Sequence, residues 1–198
     1  MIDIKNLNEA VPYKNFYSLY QESSKLNPKN IEAILIASMD KENDEVDARF
    51  VNLKFILNDK WIFFTNYESP KSIQFNSNNK ITAVLFWSNI NVQIRIKAHI
   101  EKTSLAFNKK YFLNRALEKN ALAISSNQSE IVKSFDIVED KYYEALNSGN
   151  LKECPSYWGG YSFTPYYFEF WQGNESRLNK RDIYKLEGVE WSNYLLQP

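Results

Sequence analysis

Apolar and polar positions alternate most cleanly between Asn91 and Glu101. Val92, Ile94, Ile96, Ala98 and Ile100 fall on one side, and Gln93, Arg95, Lys97, His99 and Glu101 on the other. A side-chain period of two marks a strand with one face in a core and the other turned outward. Ile31 to Ser38 is an apolar, β-prone run, and Met39 to Asp47 reads as a charged turn. Ala48 to Leu57 and Trp61 to Thr65 form two strands of a hairpin closed by Asn58-Asp59. Ile81 to Trp87, Tyr161 to Trp171, Arg181 to Leu186 and Glu190 to Leu195 complete the expected strands.

A helical period surfaces in fewer places. Residues 1–30 form a partly helical leader, in which Phe16, Leu19 and Tyr20 share a face and Pro28 closes the segment. Ser69-Pro70-Lys71-Ser72 opens a short helix, with Ser69 as N-cap and Pro70 at the first helical position, where a missing N–H costs nothing. Residues 104–113 and 136–147 are helical, and in the second Val138, Tyr142, Ala145 and Leu146 share a face. The stretch Ser125-Ser126-Asn127-Gln128-Ser129 is a polar connection between them. Antiparallel strands with short helices between them predict an α+β domain of barrel type spanning residues 1–198.

Composition narrows the chemistry. A chain of 198 residues, 44% hydrophobic, is long enough to bury a sizeable core. Its 24 basic and 24 acidic side chains leave no net charge, which argues against a general nucleic-acid binder. No stretch is long and apolar enough to span a membrane, and Met1-Ile2-Asp3-Ile4-Lys5 does not open a signal peptide, so a soluble cytoplasmic protein is expected. With one histidine, His99, and one cysteine, Cys154, a Cys/His zinc site or a disulfide framework cannot be assembled within one chain, and no metal site is expected. There are five glycines and neither a G-x-G-x-x-G nor a P-loop motif. A phosphorylated cofactor would therefore be held chiefly by side chains.

The segment from Glu169 to Arg181, Glu-Phe-Trp-Gln-Gly-Asn-Glu-Ser-Arg-Leu-Asn-Lys-Arg, suggests what such a ligand would look like. It places Trp171, a turn at Gly173 and two arginines four residues apart, Arg177 and Arg181, close together in sequence. Guanidinium groups clamp phosphates or carboxylates, and an indole packs on a ring edge, so the combination suits a flat anionic aromatic molecule.

An ordered set of segments carries a resemblance. Arg49-Phe50-Val51-Asn52-Leu53-Lys54, Phe64-Thr65-Asn66, Ser69-Pro70-Lys71, Gln93-Ile94-Arg95, Tyr111-Phe112-x-x-Arg115, Ser126-Asn127-Gln128-Ser129, Tyr157-Trp158-Gly159-Gly160-Tyr161, Glu169-Phe170-Trp171-Gln172-Gly173, Arg177-Leu178-x-x-Arg181 and Leu196-Gln197-Pro198 follow one another from about residue 31 to the end. In kind, order and spacing they resemble the pyridoxine/pyridoxamine 5'-phosphate oxidase family. The resemblance implies an antiparallel split β-barrel with short flanking helices, dimeric, with two FMN molecules at the subunit interface. By position it assigns FMN contacts to Arg49, Phe50, Val51, Asn52, Lys54, Phe64, Thr65, Pro70, Lys71, Gln93, Gln128, Ser129, Trp171 and Arg181. It assigns the substrate, a phosphorylated pyridine, to Lys54, Tyr111, Arg115, Lys119, Arg177 and Asn179, with Arg177 and Asn179 at the reacting centre. The implied reaction passes a hydride from the exocyclic carbon of the substrate to the flavin, which molecular oxygen reoxidises, giving pyridoxal 5'-phosphate.

Departures from the family pattern keep two alternatives open. Where the family usually ends R-L-H-D-R, this chain has Arg177-Leu178-Asn179-Lys180-Arg181, and Asn179 cannot carry a proton as an imidazole can. Pro70 replaces an arginine that would clamp phosphate, Lys119 replaces a serine, and the leader lacks a basic arm. The alternatives are an FMN oxidase of another aromatic metabolite, of phenazine-biosynthesis type, and a flavin- or pyridoxal-phosphate-binding protein without turnover. Strict alternation also puts Arg49 and Lys54 on opposite strand faces. Trp158-Gly159-Gly160 reads as a structural anchor and turn, and His99 as a surface residue.

Overall fold

The computed structural model describes residues 1–198, the side chain of Ser148 excepted. Ten strands and five helices follow one another as β1 Asp3–Lys5, α1 Val11–Lys25, β2 Ala33–Asp40, β3 Glu45–Asn52, β4 Phe55–Leu57, β5 Lys60–Asn66, α2 Pro70–Ser77, β6 Lys80–Trp87, β7 Val92–Lys102, α3 Leu105–Leu113, α4 Leu117–Ser125, α5 Asp136–Ser148, β8 Trp158–Gln172, β9 Lys180–Glu187 and β10 Glu190–Leu196. The strands form one sheet in the order β1-β4-β5-β8-β7-β6-β2-β3, with β9 and β10 branching off β8. All pairings are antiparallel except β1 with β4.

The branch arises from the length of β8. Its first half pairs with β5 and its second half with β9, while β7 runs along its other edge. Register slips by one residue between Lys97 and Ala98, leaving Tyr166 as the extra residue of a bulge. Pro165 is tolerated in a central strand at that irregularity. The result is the split β-barrel that the resemblance implies.

The alternation along β7 directs the packing. Val92, Ile94, Ile96, Ala98 and Ile100 are buried, while Lys97, His99 and Glu101 are exposed. The buried side meets Ile34 and Ile36 of β2, Trp61 and Phe63 of β5, and Phe163 and Phe168 of β8. Helix α1 contributes Tyr13, Phe16 and Tyr20 to that core, with Phe16 fully buried and its ring centroid 4.4 Å from Trp61. The helical face read in the leader is thus the one that packs.

Several expectations need correction. The leader also carries β1, a three-residue strand too short to leave a periodic signal. The charged segment 39–47 contributes to both β2 and β3, and the turn between them is confined to residues 41–44. The strand expected from Ala48 to Leu57 is two strands: β3 pairs with β2, and β4 forms the hairpin with β5 across Asn58-Asp59. Between them Leu53 N donates to Glu32 O and Lys54 N to Ile62 O, so the chain crosses from one partner to the other. Helix α4 is an element that the sequence pattern does not predict, whereas in α5 the expected face of Val138, Tyr142, Ala145 and Leu146 is the half-buried one and the rest of the described α5 side chains are exposed. Ser69 does stand at the N-cap of α2, but its Oγ donates to Asn66 O at 2.7 Å instead of capping the helix.

Candidate active site

A cavity of about 650 Å³ opens between β3, β5, the α3–α4 connection and the start of β8. Its size falls in the range of small-molecule and cofactor sites. Of the positions named from sequence, Arg49, Phe50, Val51, Asn52, Lys54, Phe64, Thr65, Lys71, Tyr111, Arg115, Lys119 and Gln128 line it. The lining side chains carry five cations, Arg49, Lys54, Lys71, Arg115 and Lys119, and no carboxylate. Such a wall favours an anionic occupant.

The break between β3 and β4 brings Arg49 and Lys54 to the same cavity. Alternation would have separated them, but it lapses at Leu53 and Lys54, where neither strand continues. Arg49 is held from behind: its Nη1 donates to Ile36 O at 3.2 Å and Ser38 Oγ at 2.7 Å, its Nη2 to Gln74 Oε1 at 3.2 Å, and it pairs with Asp47. Lys71, one residue inside α2, is buried and donates to Ser69 Oγ at 2.9 Å. Burial, with the neighbouring Arg49 adding to it, pushes the Lys71 ammonium down to about 8. A phosphate placed between these two cations would offset both effects.

Lys54, Arg115 and Lys119 form the second cationic group. Burial lowers the Lys54 pKa, Glu32 at 3.9 Å opposes that, and Lys119 and Arg115 push it down again. Helix α3 ends at Leu113, so Arg115 stands beyond it in the turn to α4 rather than on its face. There its Nη1 donates to Lys119 O at 2.6 Å and Asn120 Oδ1 at 3.2 Å, and its guanidinium lies 5.0 Å from the Trp158 ring centroid. Tyr111 stacks on Phe64, centroids 3.8 Å apart and planes 12° from parallel, and Phe64 in turn stacks on Trp158. The cavity therefore has a flat aromatic wall beside its cations.

Thr65 Oγ1 donates to Gln128 Oε1 at 3.2 Å, and Asn66 N meets the same oxygen at 3.4 Å. This ties the polar connection after α4 to the end of β5. Sequence reasoning missed Asn66, Asn114, Ala116, Leu122, Ala123, Ser126 and Trp158 as lining residues. Trp158 lines the cavity as well as anchoring the start of β8, and its contact with Arg115 exists only through the fold.

The remaining positions do not line the cavity. Pro70 occupies the first turn of α2, and Ser129 an exposed turn with φ 74°. Gln93, Trp171 and Arg181 form one row across the sheet, since Gln93 pairs with Trp171 and Trp171 with Arg181. This row lies on the face opposite Ile94 and Phe170, which point into the core. Arg177 follows in an exposed turn with a left-handed φ of 62°, its N–H donating to Asn174 O at 2.9 Å. Asn179 accepts from Asn174 N at 3.0 Å through Oδ1, so its amide carbonyl closes that turn. One chain thus holds two separate halves: a cationic cavity, and a row of ring-edge donors with Arg177 beside it. Among the described residues no group of three or more His, Cys, Asp or Glu is arranged to hold a metal ion. Among the described residues no helix is long and apolar enough to cross a membrane.

Comparison with known proteins gives these halves a context. Residues 158–198 match the model of the pyridoxine 5'-phosphate oxidase C-terminal dimerisation region. The chain is 31% identical to the pyridoxine/pyridoxamine 5'-phosphate oxidase of Leptospira interrogans, covering 94% of this chain and 88% of that one. It is 34% identical to the enzyme of the same name from Aliarcobacter butzleri, over 100% of this chain and 93% of the relative. Among solved structures, PhzG from Burkholderia lata, in complex with tetrahydrophenazine-1-carboxylic acid, superposes with a TM-score of 0.88 at 22% identity, covering 94% of this chain and 92% of that one. A pyridoxamine 5'-phosphate oxidase-related, FMN binding protein from Nostoc punctiforme gives a TM-score of 0.77 at 13% identity, covering 96% and 99%. At these identities the two structures support the split-barrel fold, and the full-length relatives identify the lineage: the chain belongs to the pyridoxine/pyridoxamine 5'-phosphate oxidase family.

Proposed function

We propose that the protein is a homodimeric FMN-dependent oxidase that converts pyridoxine or pyridoxamine 5'-phosphate to pyridoxal 5'-phosphate. The observation that carries this reading is the pairing of two cationic groups in one cavity, Arg49 with Lys71 and Lys54 with Arg115 and Lys119, beside an aromatic wall. A cofactor and a substrate that each bear a phosphate need two such groups.

Arg49, Lys71, Thr65 and Gln128 would hold FMN at its phosphate end. Gln93, Trp171 and Arg181 would meet its ring edge, Gln93 through an amide that both donates and accepts. The row carrying these three stands apart from the cavity of its own chain, and Trp171 and Arg181 belong to the matched dimerisation region. A second copy would bring one half to the other, which supports the dimer. Lys54, Tyr111, Arg115 and Lys119 would take the substrate phosphate, and Arg177, with the turn closed by Asn179, would cover the substrate ring.

When bound, FMN supplies the hydride acceptor and, with dioxygen, the route back to its oxidised form. The chain's own residues orient the two rings and neutralise the two phosphates, which is how such a site works without an acid–base pair. In balance, the alcohol and O₂ give the aldehyde and H₂O₂; the amine, O₂ and water give the aldehyde, ammonia and H₂O₂. Following both products with the FMN-loaded protein tests the reading. Equal amounts of pyridoxal 5'-phosphate and peroxide support it, and bound FMN without either product sinks it. Asn179, where the family has histidine, favours a second reading, oxidation of a carboxylated aromatic of phenazine type. Peroxide formation with such a substrate and with neither pyridine phosphate would select that alternative.

A further inference from the structure

Within the aromatic run of β8, Tyr166-Tyr167-Phe168-Glu169-Phe170-Trp171, one carboxylate stands out. Glu169 is 3% exposed. A carboxylate in that setting is costly unless donors surround it. Three do: Arg181 Nε donates to Oε1 at 2.9 Å, Tyr167 OH donates to Oε2 at 3.0 Å, and Arg95 Nη2 makes a close bond to the same Oε2. Burial by itself raises the Glu169 pKa, but the bonds from Arg181, Arg95 and Tyr167 outweigh it and hold the carboxyl below its usual range. The pairing is built into the sheet, because Arg95 and Glu169 are cross-strand partners one step along from the Gln93–Trp171–Arg181 row.

The arrangement decides which nitrogens of Arg181 are available. Nε goes to Glu169, and Nη1 donates to Gln197 O at 3.0 Å. Among the described residues Nη2 has no such bond. Nη2 is therefore the Arg181 nitrogen left wholly without a protein partner, on the strand position paired with Trp171, and it can donate to a ring oxygen or nitrogen. Two arginines on one carboxylate also leave a surplus positive charge on this face.

We infer that Glu169 is a positioning residue of the flavin site: it fixes Arg181, against the counter-pull of Arg95, so that one guanidinium nitrogen faces the flavin ring edge. The inference rests on the FMN reading of the site. Its test is a double-mutant cycle on the full chain, with FMN affinity read from quenching of flavin fluorescence. Glu169→Gln, which keeps the shape and removes the charge, is expected to weaken FMN binding about tenfold. Arg181→Ala should weaken it by at least as much, and the double variant should bind no more weakly than Arg181→Ala alone. Wild-type affinity in Glu169→Gln, or losses that multiply in the double variant, would overturn the inference while leaving the flavin reading intact. If circular dichroism shows that Glu169→Gln does not fold, Glu169→Asp takes its place in the cycle with the same expectation of non-additivity. A wild-type chain that does not bind FMN would overturn the flavin reading and this inference together.

Discussion

The ammonium of Lys71 is buried beside the guanidinium of Arg49 in the wall of one cavity, and its pKa is lowered to about 8. Asp47 offsets part of this repulsion, but burial and Arg49 outweigh it. In the unfolded chain the lysine keeps its ordinary value of 10.5, so between about 8 and 10.5 the unfolded state binds more protons than the folded one. The Lys71 contribution thus makes the ligand-free protein more stable as pH rises through that window. Binding of a phosphate should show the opposite trend, because the anion favours charged Lys71. FMN affinity is expected to fall as pH rises above about 8, and Lys71→Met should weaken binding and flatten that dependence. Fluorescence titrations of both proteins across this window check it, and parallel pH profiles would contradict it.

The turn that carries Arg177 is pinned by its own amides. Asn174 Oδ1 accepts from Ser176 N at 2.9 Å and from Ser176 Oγ at 2.5 Å, while Asn179 Oδ1 accepts from Asn174 N. Arg177→Ala is expected to lower kcat/KM by more than about tenfold, the size of one lost charge-assisted contact. Lys180, whose partner is Asp182 at 3.7 Å, should be replaceable by alanine with less than about a twofold change. Asn179→Ala should cost more activity than Asn179→His, since a neutral imidazole can still accept from Asn174 N. Steady-state kinetics on the four variants decide the matter, and equal losses for Arg177→Ala and Lys180→Ala would count against Arg177.

Lys119 is exposed but belongs to the group that lowers the Lys54 pKa. On the proposed reading it would add a positive charge at the substrate phosphate. Lys119→Ser is expected to raise KM for pyridoxine 5'-phosphate about threefold with kcat nearly unchanged, and the difference should shrink at high salt. An unchanged KM at low salt would remove Lys119 from the site.

Gly159 holds the start of β8, next to Trp158. A Cβ there would lie 2.2 Å from Tyr67 Oη and 2.4 Å from Asn108 Nδ2. Those two groups hydrogen-bond to each other at 2.9 Å, and Asn108 Oδ1 also accepts from Gly160 N. Gly159→Ala should destabilise the fold by about 1–3 kcal/mol and displace Trp158 from the cavity wall. Thermal unfolding measures the first effect, and a variant as stable as wild type would show that the contact relaxes freely.

How much of this was legible in the sequence depends on what each feature answers to. The β7 strand and the packed face of α1 follow from local periodicity, so both could be read directly. Helix α4 could not: Ala116 at its N-cap supplies no side-chain bond, and only Asn120 and Ala121 are buried. The shared cavity of Arg49 and Lys54 depends on a break at Leu53 and Lys54 whose hydrogen bonds go to Glu32 and Ile62, both distant in sequence. Gln93, Trp171 and Arg181 were named by resemblance, but their row exists only through strand pairing. Nothing local in the sequence shows that Arg95 and Arg181 both reach Glu169.

The central claim is that this cavity positions a pyridine phosphate for hydride transfer to FMN. Its most direct test is the absorption spectrum of the FMN-loaded protein under anaerobic conditions, before and after adding pyridoxine 5'-phosphate and then pyridoxamine 5'-phosphate. The account predicts bleaching of the oxidised flavin band by these substrates and its return when air is admitted. Flavin that stays bound and unbleached with both would contradict it.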